Sequence, residues 1–360
     1  MQITEKIFPI VQFAITLFLI AVSLSLIMLL NYKIDYMGWH SPSLTSDNIP
    51  ARTYNAVIAK TMKYNAVILG SSLSQNFRCS ELDKIQNVQS LKMPFESAHI
   101  SELLFTLRYA NQFQKIDLVL FDLNFSMFLR KDPVVPIPER IYQLGRMETL
   151  QLLKFSTCYK SLVYLFKNYI LGKRGSISRD ELYSWDKMLP TTGEQILAKR
   201  LFTIDPGKDP QVIFPITEQT MANAQYNVRT YLLPLLEENQ DKKIFLFFPP
   251  YMMLAYENFP LEDIISLKKY LAETILQYPN VRLYDFQTAI EITENPDNYK
   301  DKLHYGTSIN SWMLEQTTKD EYLLTQNNLD SKINSFKELI SSFDYQQLWL
   351  YLRKIFNKQR

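Results

Sequence analysis

Short apolar runs alternate along the chain with longer stretches of helix-like spacing. Residues 66–69, 118–121 and 244–248 are four or five nearly unbroken apolar positions each, and 281–284 is a weaker fourth run. Runs this short and continuous suit strands covered on both faces. Between them, segments such as 100–113 and 261–278 place apolar residues at helical intervals. The alternation predicts an α/β domain: a three-layer, doubly wound parallel sheet with helices on both sides.

One stretch is too long and too apolar for that scheme. Residues 7–30 carry no charge, and Gln12, Thr16, Ser23 and Ser25 are their main polar interruptions. A helix of that length, at ~1.5 Å per residue, crosses a hydrocarbon core of ~30 Å. The run continues to Leu30 and on to Asn31-Tyr32-Lys33 without a small-residue cleavage site, so an uncleaved anchor is expected rather than a signal peptide. The alternative is a buried core helix. Lys6 and the terminal amine balance Lys33 and its basic neighbours, so charge does not orient the segment.

The expected organisation is an anchor over 1–35, a linker over 36–55, a folded domain over 56–325 and an amphipathic helical segment over 326–360. "SPSLTSDNIP" supplies the Pro and small polar residues of the linker. Pro133, Pro136 and Pro138 open a mostly helical insertion over about 131–240. The last segment carries a stripe through Ile333, Phe336, Ile340, Phe343, Leu348, Leu352 and Ile355, then Arg353, Lys354, Lys358 and Arg360. It reads as a helix packed on the domain or as one lying on a membrane surface.

Composition narrows the chemistry. The 360 residues are 47% hydrophobic, enough for a large core, and 39 Lys+Arg against 37 Asp+Glu leave no basic field for nucleic acid. Three histidines, His40, His99 and His304, restrict the choice of general base and do not suggest a metal site, and no cofactor is expected. His40, beside Trp39, suits a membrane interface, and His99 reads as a helix-surface residue. Cys79 and Cys158 either pair outside the cytoplasm or remain buried thiols.

In a doubly wound sheet, functional groups collect at the carboxyl ends of the strands. The first strand runs directly into Gly70-Ser71-Ser72. A serine in such a turn either caps the next helix or presents a nucleophilic hydroxyl close to backbone N–H groups able to stabilise an oxyanion. Near the other end, "NPDNYKDKLHYG" puts Asp301 three residues before His304, a spacing at which a carboxylate can orient an imidazole.

These blocks together resemble the SGNH (GDSL-like) hydrolase superfamily, over roughly residues 60–320 apart from the insertion. The closer likeness is to membrane-anchored members serving cell-envelope polymer acylation, such as alginate O-acetylation and D-alanyl-lipoteichoic acid transfer proteins. "VILGSSLSQNF" resembles the first block, with Ser72 at the nucleophile position, and "YKDKLHY" the last, with Asp301 and His304 completing a triad. "SLKMPFESAHISELL", "DLVLFDLNFSMF" and "IFLFFPPY" fall at the intermediate blocks. Two departures stand out: Phe95 occupies the place of an oxyanion-hole glycine, and Asn124 lies in Asp-Leu-Asn rather than G-x-N-D. The resemblance implies a periplasmic or extracellular serine esterase or acyltransferase. Its oxyanion donors would be the Ser72 and Phe95 amides and the Asn124 side chain. Its implied partners are the membrane, an acylated or acceptor cell-envelope polysaccharide and an integral-membrane acyltransferase. The other readings are a catalytically inactive scaffold of the same fold, which the Phe95 departure favours, and a lipid esterase.

Overall fold

The computed structural model describes residues 15–16, 18–19, 22–23, 51–131, 178–186, 191–203, 216–257 and 260–358. Within the stretch read as an anchor, the described residues are helical, with Phe18 and Leu19 exposed, and its remainder lies outside them, as do His40 and Cys158. Among the described residues no helix is long and apolar enough to cross a membrane.

Six strands form one sheet in the order β2-β1-β3-β4-β5-β6. They are β1 (Ala66–Ile68), β2 (Ser90–Lys92), β3 (Leu118–Asp122), β4 (Lys243–Phe248), β5 (Val281–Asp285) and β6 (Leu323–Leu324). The four apolar runs are β1, β3, β4 and β5. β3 is buried along its whole length, and β4 is buried at every position after Lys243. β1 to β5 are parallel, with Val67 opposite Leu91 on one side and Val119 on the other. The sheet is not wholly parallel, however: β6 pairs antiparallel to β5 through Leu283–Leu324 and Tyr284–Leu323.

Strand order reverses at β1, so right-handed crossovers put the helix leaving β1 on one face and those leaving β2, β3 and β4 on the other. Helix Cys79–Gln86 packs with Thr307–Gln316, whereas Ile100–Ala110 packs with the helical turns of 228–237. Those turns belong to the crossover from β3 to β4, so the end of the stretch read as an insertion is a regular part of the doubly wound layer. Helix Ala51–Thr61 starts inside the segment read as linker. Its Asn55, Ala56, Ile58 and Ala59 are buried, and the helix packs against Ile100–Ala110, a tertiary contact that local composition does not announce.

His99 is not a helix-surface residue. It is the buried N-cap of helix Ile100–Ala110, its ring accepting from the Ser101 N–H while Glu102 reaches back to its own amide. The C-terminal stripe forms two helices, Leu329–Ser342 and Tyr345–Lys358, broken at Phe343, where the backbone is extended. The first packs on helix Leu261–Ile275 and the second on Glu194–Thr203.

Candidate active site

The site begins at the carboxyl end of β1, where the chain turns through Gly70 into a single 3-10 turn, Ser72–Ser74. Gly70 has φ +119°, and a Cβ there would lie 2.1 Å from Asp122 Oδ1 and 2.5 Å from Ser74 Oγ. Both the backbone and the space demand glycine. Asp122, at the end of the adjacent β3, is the post around which the turn is wound. Its carboxylate accepts from the Ser71 N–H at 2.7 Å, the Ser71 hydroxyl at 2.7 Å and the Ser74 hydroxyl at 2.6 Å. Burial pushes its carboxyl above the usual range, opposed by the hydrogen bonds from Ser74 and Ser71.

Both alternatives for the two serines are realised, one in each. Ser71 is the cap, its hydroxyl accepting from the Leu73 N–H at 3.2 Å. That leaves Ser72 free to face the loop after β5. Its Oγ lies 2.8 Å from His304 Nε2, across 232 positions of sequence. His304 Nδ1 lies 2.9 Å from each oxygen of Asp301. Asp301 also accepts from the His304 N–H at 2.7 Å and the Leu303 N–H at 3.0 Å. Burial raises its carboxyl, but the hydrogen bonds from the His304 ring, His304 amide and Leu303 amide outweigh that and hold it below the usual value. The loop is closed by an antiparallel bridge between Tyr299 and Tyr305 and a Lys300 N–H bond to the His304 carbonyl at 3.0 Å.

The expected oxyanion donors divide. The Phe95 amide donates to the Gly70 carbonyl at 2.9 Å and its ring is fully buried, so Phe95 belongs to the core and its N–H is already spent. Asn124 is different. Its Oδ1 accepts from the Ser126 N–H at 3.1 Å, the Ser126 hydroxyl at 3.0 Å and the Tyr251 hydroxyl at 3.0 Å. Three donors on one oxygen fix the amide orientation and turn Nδ2 towards Ser71 Oγ, 3.5 Å away, too far for a strong bond. The Ser71 and Leu73 amides are engaged in the turn, whereas that of Ser72 donates to no described residue. Among the expected oxyanion donors, the Ser72 N–H and Asn124 Nδ2 are the ones that no described residue holds in a strong hydrogen bond.

Sequence reading missed Asp122 and also Trp185, which comes from the stretch read as an insertion. Its indole N–H donates to the Ser72 carbonyl at 3.3 Å, and its ring packs edge-on to His304 with centroids 5.9 Å apart. Residues 178–186 are fixed there by deep polar contacts. The buried Lys92 ammonium donates to the Gln75 and Asp180 carbonyls at 2.8 and 2.7 Å, and Asn76 Oδ1 accepts from the Ser184 hydroxyl and the Trp185 N–H. Buried Cys79, its thiol pushed up to about 11 by burial, lies among these contacts and is unsuited to nucleophilic work. Among the described residues no group of three His, Cys, Asp or Glu side chains is placed to hold a metal ion.

No protein-family model matches the chain, and no curated protein matches it. It is similar in structure to a protein from Streptococcus pneumonia provisionally described as a platelet activating factor, at TM-score 0.40 and 11% identity, over 75% of this chain and 90% of that one. At that distance the geometry of the site, not the likeness, bears on its chemistry.

Proposed function

We propose that the protein is a serine-dependent ester hydrolase or O-acyltransferase of SGNH type, with Ser72 as nucleophile, His304 as general acid–base and Asp301 as the carboxylate that orients it. The observation that carries this is the continuous hydrogen-bonded line Ser72 Oγ–His304 Nε2–Asp301, at 2.8 and 2.9 Å.

Ser72 Oγ bonds to the acyl carbon while its proton passes to His304 Nε2. The tetrahedral intermediate then breaks its bond to the alcohol oxygen, which takes the proton from the imidazolium. In the second half, water or an acceptor hydroxyl gives its proton to Nε2 and attacks the acyl carbon; the bond to Ser72 Oγ then breaks, and Oγ takes that proton back from the imidazolium. Asp301 remains ionised, holds the Nδ1–H tautomer and stabilises the imidazolium. The Ser72 amide and Asn124 Nδ2 stabilise the developing oxyanion.

The uncharged stretch 7–30 and the motif resemblance support an anchored enzyme whose domain faces the periplasm or cell exterior. They also support an acylated cell-envelope glycan as its substrate and an integral-membrane acyltransferase as its partner. One observation favours a second reading, a polysaccharide-binding or partner-binding scaffold: the committed Phe95 amide leaves the site one oxyanion donor short of its expected set.

Turnover of p-nitrophenyl acetate separates the two. Ser72→Ala, His304→Ala and Asp301→Asn should each lower kcat/KM by about a thousand-fold or more, and the double variants should lose little further, since the three act as a unit. Rates within a few-fold of wild type in all three folded variants would refute the serine mechanism.

A further inference from the structure

Residues 178–186 are tied to the domain more heavily than a connecting stretch needs. Arg179 donates to the Ser90 carbonyl at 2.6 Å and pairs with Asp83 at 2.9 Å. The Asp180 carboxylate accepts from the Ser80 N–H at 2.8 Å and the Ser80 hydroxyl at 2.6 Å. Its carbonyl takes a bond from the fully buried Lys92 ammonium. The Tyr183 hydroxyl donates to Asn55 Oδ1 at 2.7 Å. Asn76 Oδ1 accepts from the Ser184 hydroxyl at 3.1 Å and the Trp185 N–H at 3.2 Å, while its Nδ2 donates to the Tyr305 carbonyl at 3.4 Å. Lifting the stretch would take an acceptor from a buried cation, a costly change that holds the stretch down.

What this attachment delivers to the catalytic pair is one side chain. On the Ser72 side, the Trp185 indole N–H donates to the Ser72 carbonyl at 3.3 Å. The same carbonyl closes the 3-10 turn by accepting from the Gln75 N–H at 3.4 Å. Both bonds are long, so the backbone of the nucleophile depends on the two together. On the other side, the indole ring meets the His304 ring at an interplanar angle of 86°. Lys300, on the same loop as His304, lays its ammonium 3.5 Å from the Trp185 ring centroid. Trp185 therefore touches the main chain of the nucleophile and grips the loop of the base at two points.

We infer that Trp185 is a positioning residue that sets Ser72 and His304 against each other, and that residues 178–186 are built to hold it there. The inference rests on the serine mechanism proposed above and deepens it. Asp301 and Ser72 restrain the imidazole at Nδ1 and Nε2, while the indole packs against its ring. The indole N–H restrains the residue that carries Oγ. Ser72 and His304 come from turns 232 positions apart, and Trp185 is a third element in contact with both. A misplacement of about 1 Å between reacting groups can cost on the order of 100-fold in rate, which is the scale on which such a brace acts.

Turnover of p-nitrophenyl acetate by the full chain tests this in Trp185→Phe, which keeps a ring and loses the N–H, and in Trp185→Gly, which loses both. Trp185→Phe should lower kcat and kcat/KM together by about 10-fold, as for one hydrogen bond, with KM within about two-fold of wild type. Trp185→Gly should lose about 100-fold. Indole added to Trp185→Gly should restore part of kcat, and benzothiophene, of the same shape without the N–H, should restore less. Thermal unfolding of Trp185→Phe close to that of wild type separates positioning from stability. Wild-type kcat in both variants, or a loss confined to KM, overturns the inference and leaves the serine mechanism standing as long as Ser72→Ala abolishes wild-type turnover. Equal turnover in wild type and Ser72→Ala overturns both.

Discussion

Gly70 and Asp122 show how much of the site is decided by single residues. The glycine lets the turn bring three serine-derived donors onto one buried carboxylate, which leaves Ser72 the only hydroxyl of its group facing His304. Gly70→Ala must relieve a Cβ placed only 2.1 Å from Asp122 Oδ1 and accept a φ of +119°. The variant should lose about 2–4 kcal/mol in urea unfolding, as strained backbone and a broken buried network together cost, and ester turnover should fall with it. Wild-type stability and turnover in Gly70→Ala would mean the turn is not locked as described. Ser72, Asp301 and His304 were legible because each sits in a short local pattern: glycine before serines, and aspartate one turn before histidine. Asp122 was not, because its partners lie 48 to 51 positions away and an aspartate at a strand end carries no local mark of them. Phe95 was placed by motif position alone, which cannot reveal that its amide already bonds Gly70.

At the scale of elements, apolar periodicity located the strands whose side chains are the evidence for them and passed over those held by backbone pairing. β2 is Ser-Leu-Lys and β6 only two residues, so neither shows an apolar run, although both pair in the sheet. The helix Leu261–Ile275 hides a feature of another kind. Lys268 is fully buried with its Nζ 2.7 Å from the Asp285 carboxylate and 3.6 Å from the Phe336 ring centroid, so one ammonium joins this helix, β5 and helix Leu329–Ser342. Burial lowers its pKa to about 8, against the pull of Asp285. Lys268→Met alone strands the carboxylate and should cost about 3–5 kcal/mol, whereas Lys268→Met with Asp285→Leu should recover most of that loss. Chemical denaturation of the two proteins checks it. Equal losses would show that the ion pair itself, and not the unpaired acid, sets the stability.

Over the whole molecule, the site lies where the topology reverses. The turn carrying Ser72 leaves β1, Asp122 and Asn124 lie at the end of β3 beside it, and the β5 side of the sheet returns His304 and Asp301 across the gap. Crossover handedness makes that crevice, and ligands bind there in open α/β sheets generally. The alternating pattern therefore foretold an α/β sheet, though not its antiparallel β6, and pointed to the end of the sheet where Ser72, Asp301 and His304 meet. It could not foretell that residues 178–186 fold back over the crevice, since polar contacts through Lys92 and Asn76, not apolar spacing, hold Trp185 against His304. The most direct test of the central claim, that His304 activates Ser72 for attack, is covalent labelling with a fluorophosphonate followed by peptide mass spectrometry. Wild type should carry the label on Ser72, and the label should vanish in Ser72→Ala and fall by at least about a hundred-fold in rate in His304→Ala. A folded wild-type protein that takes no label, or takes it on another residue, would contradict the account.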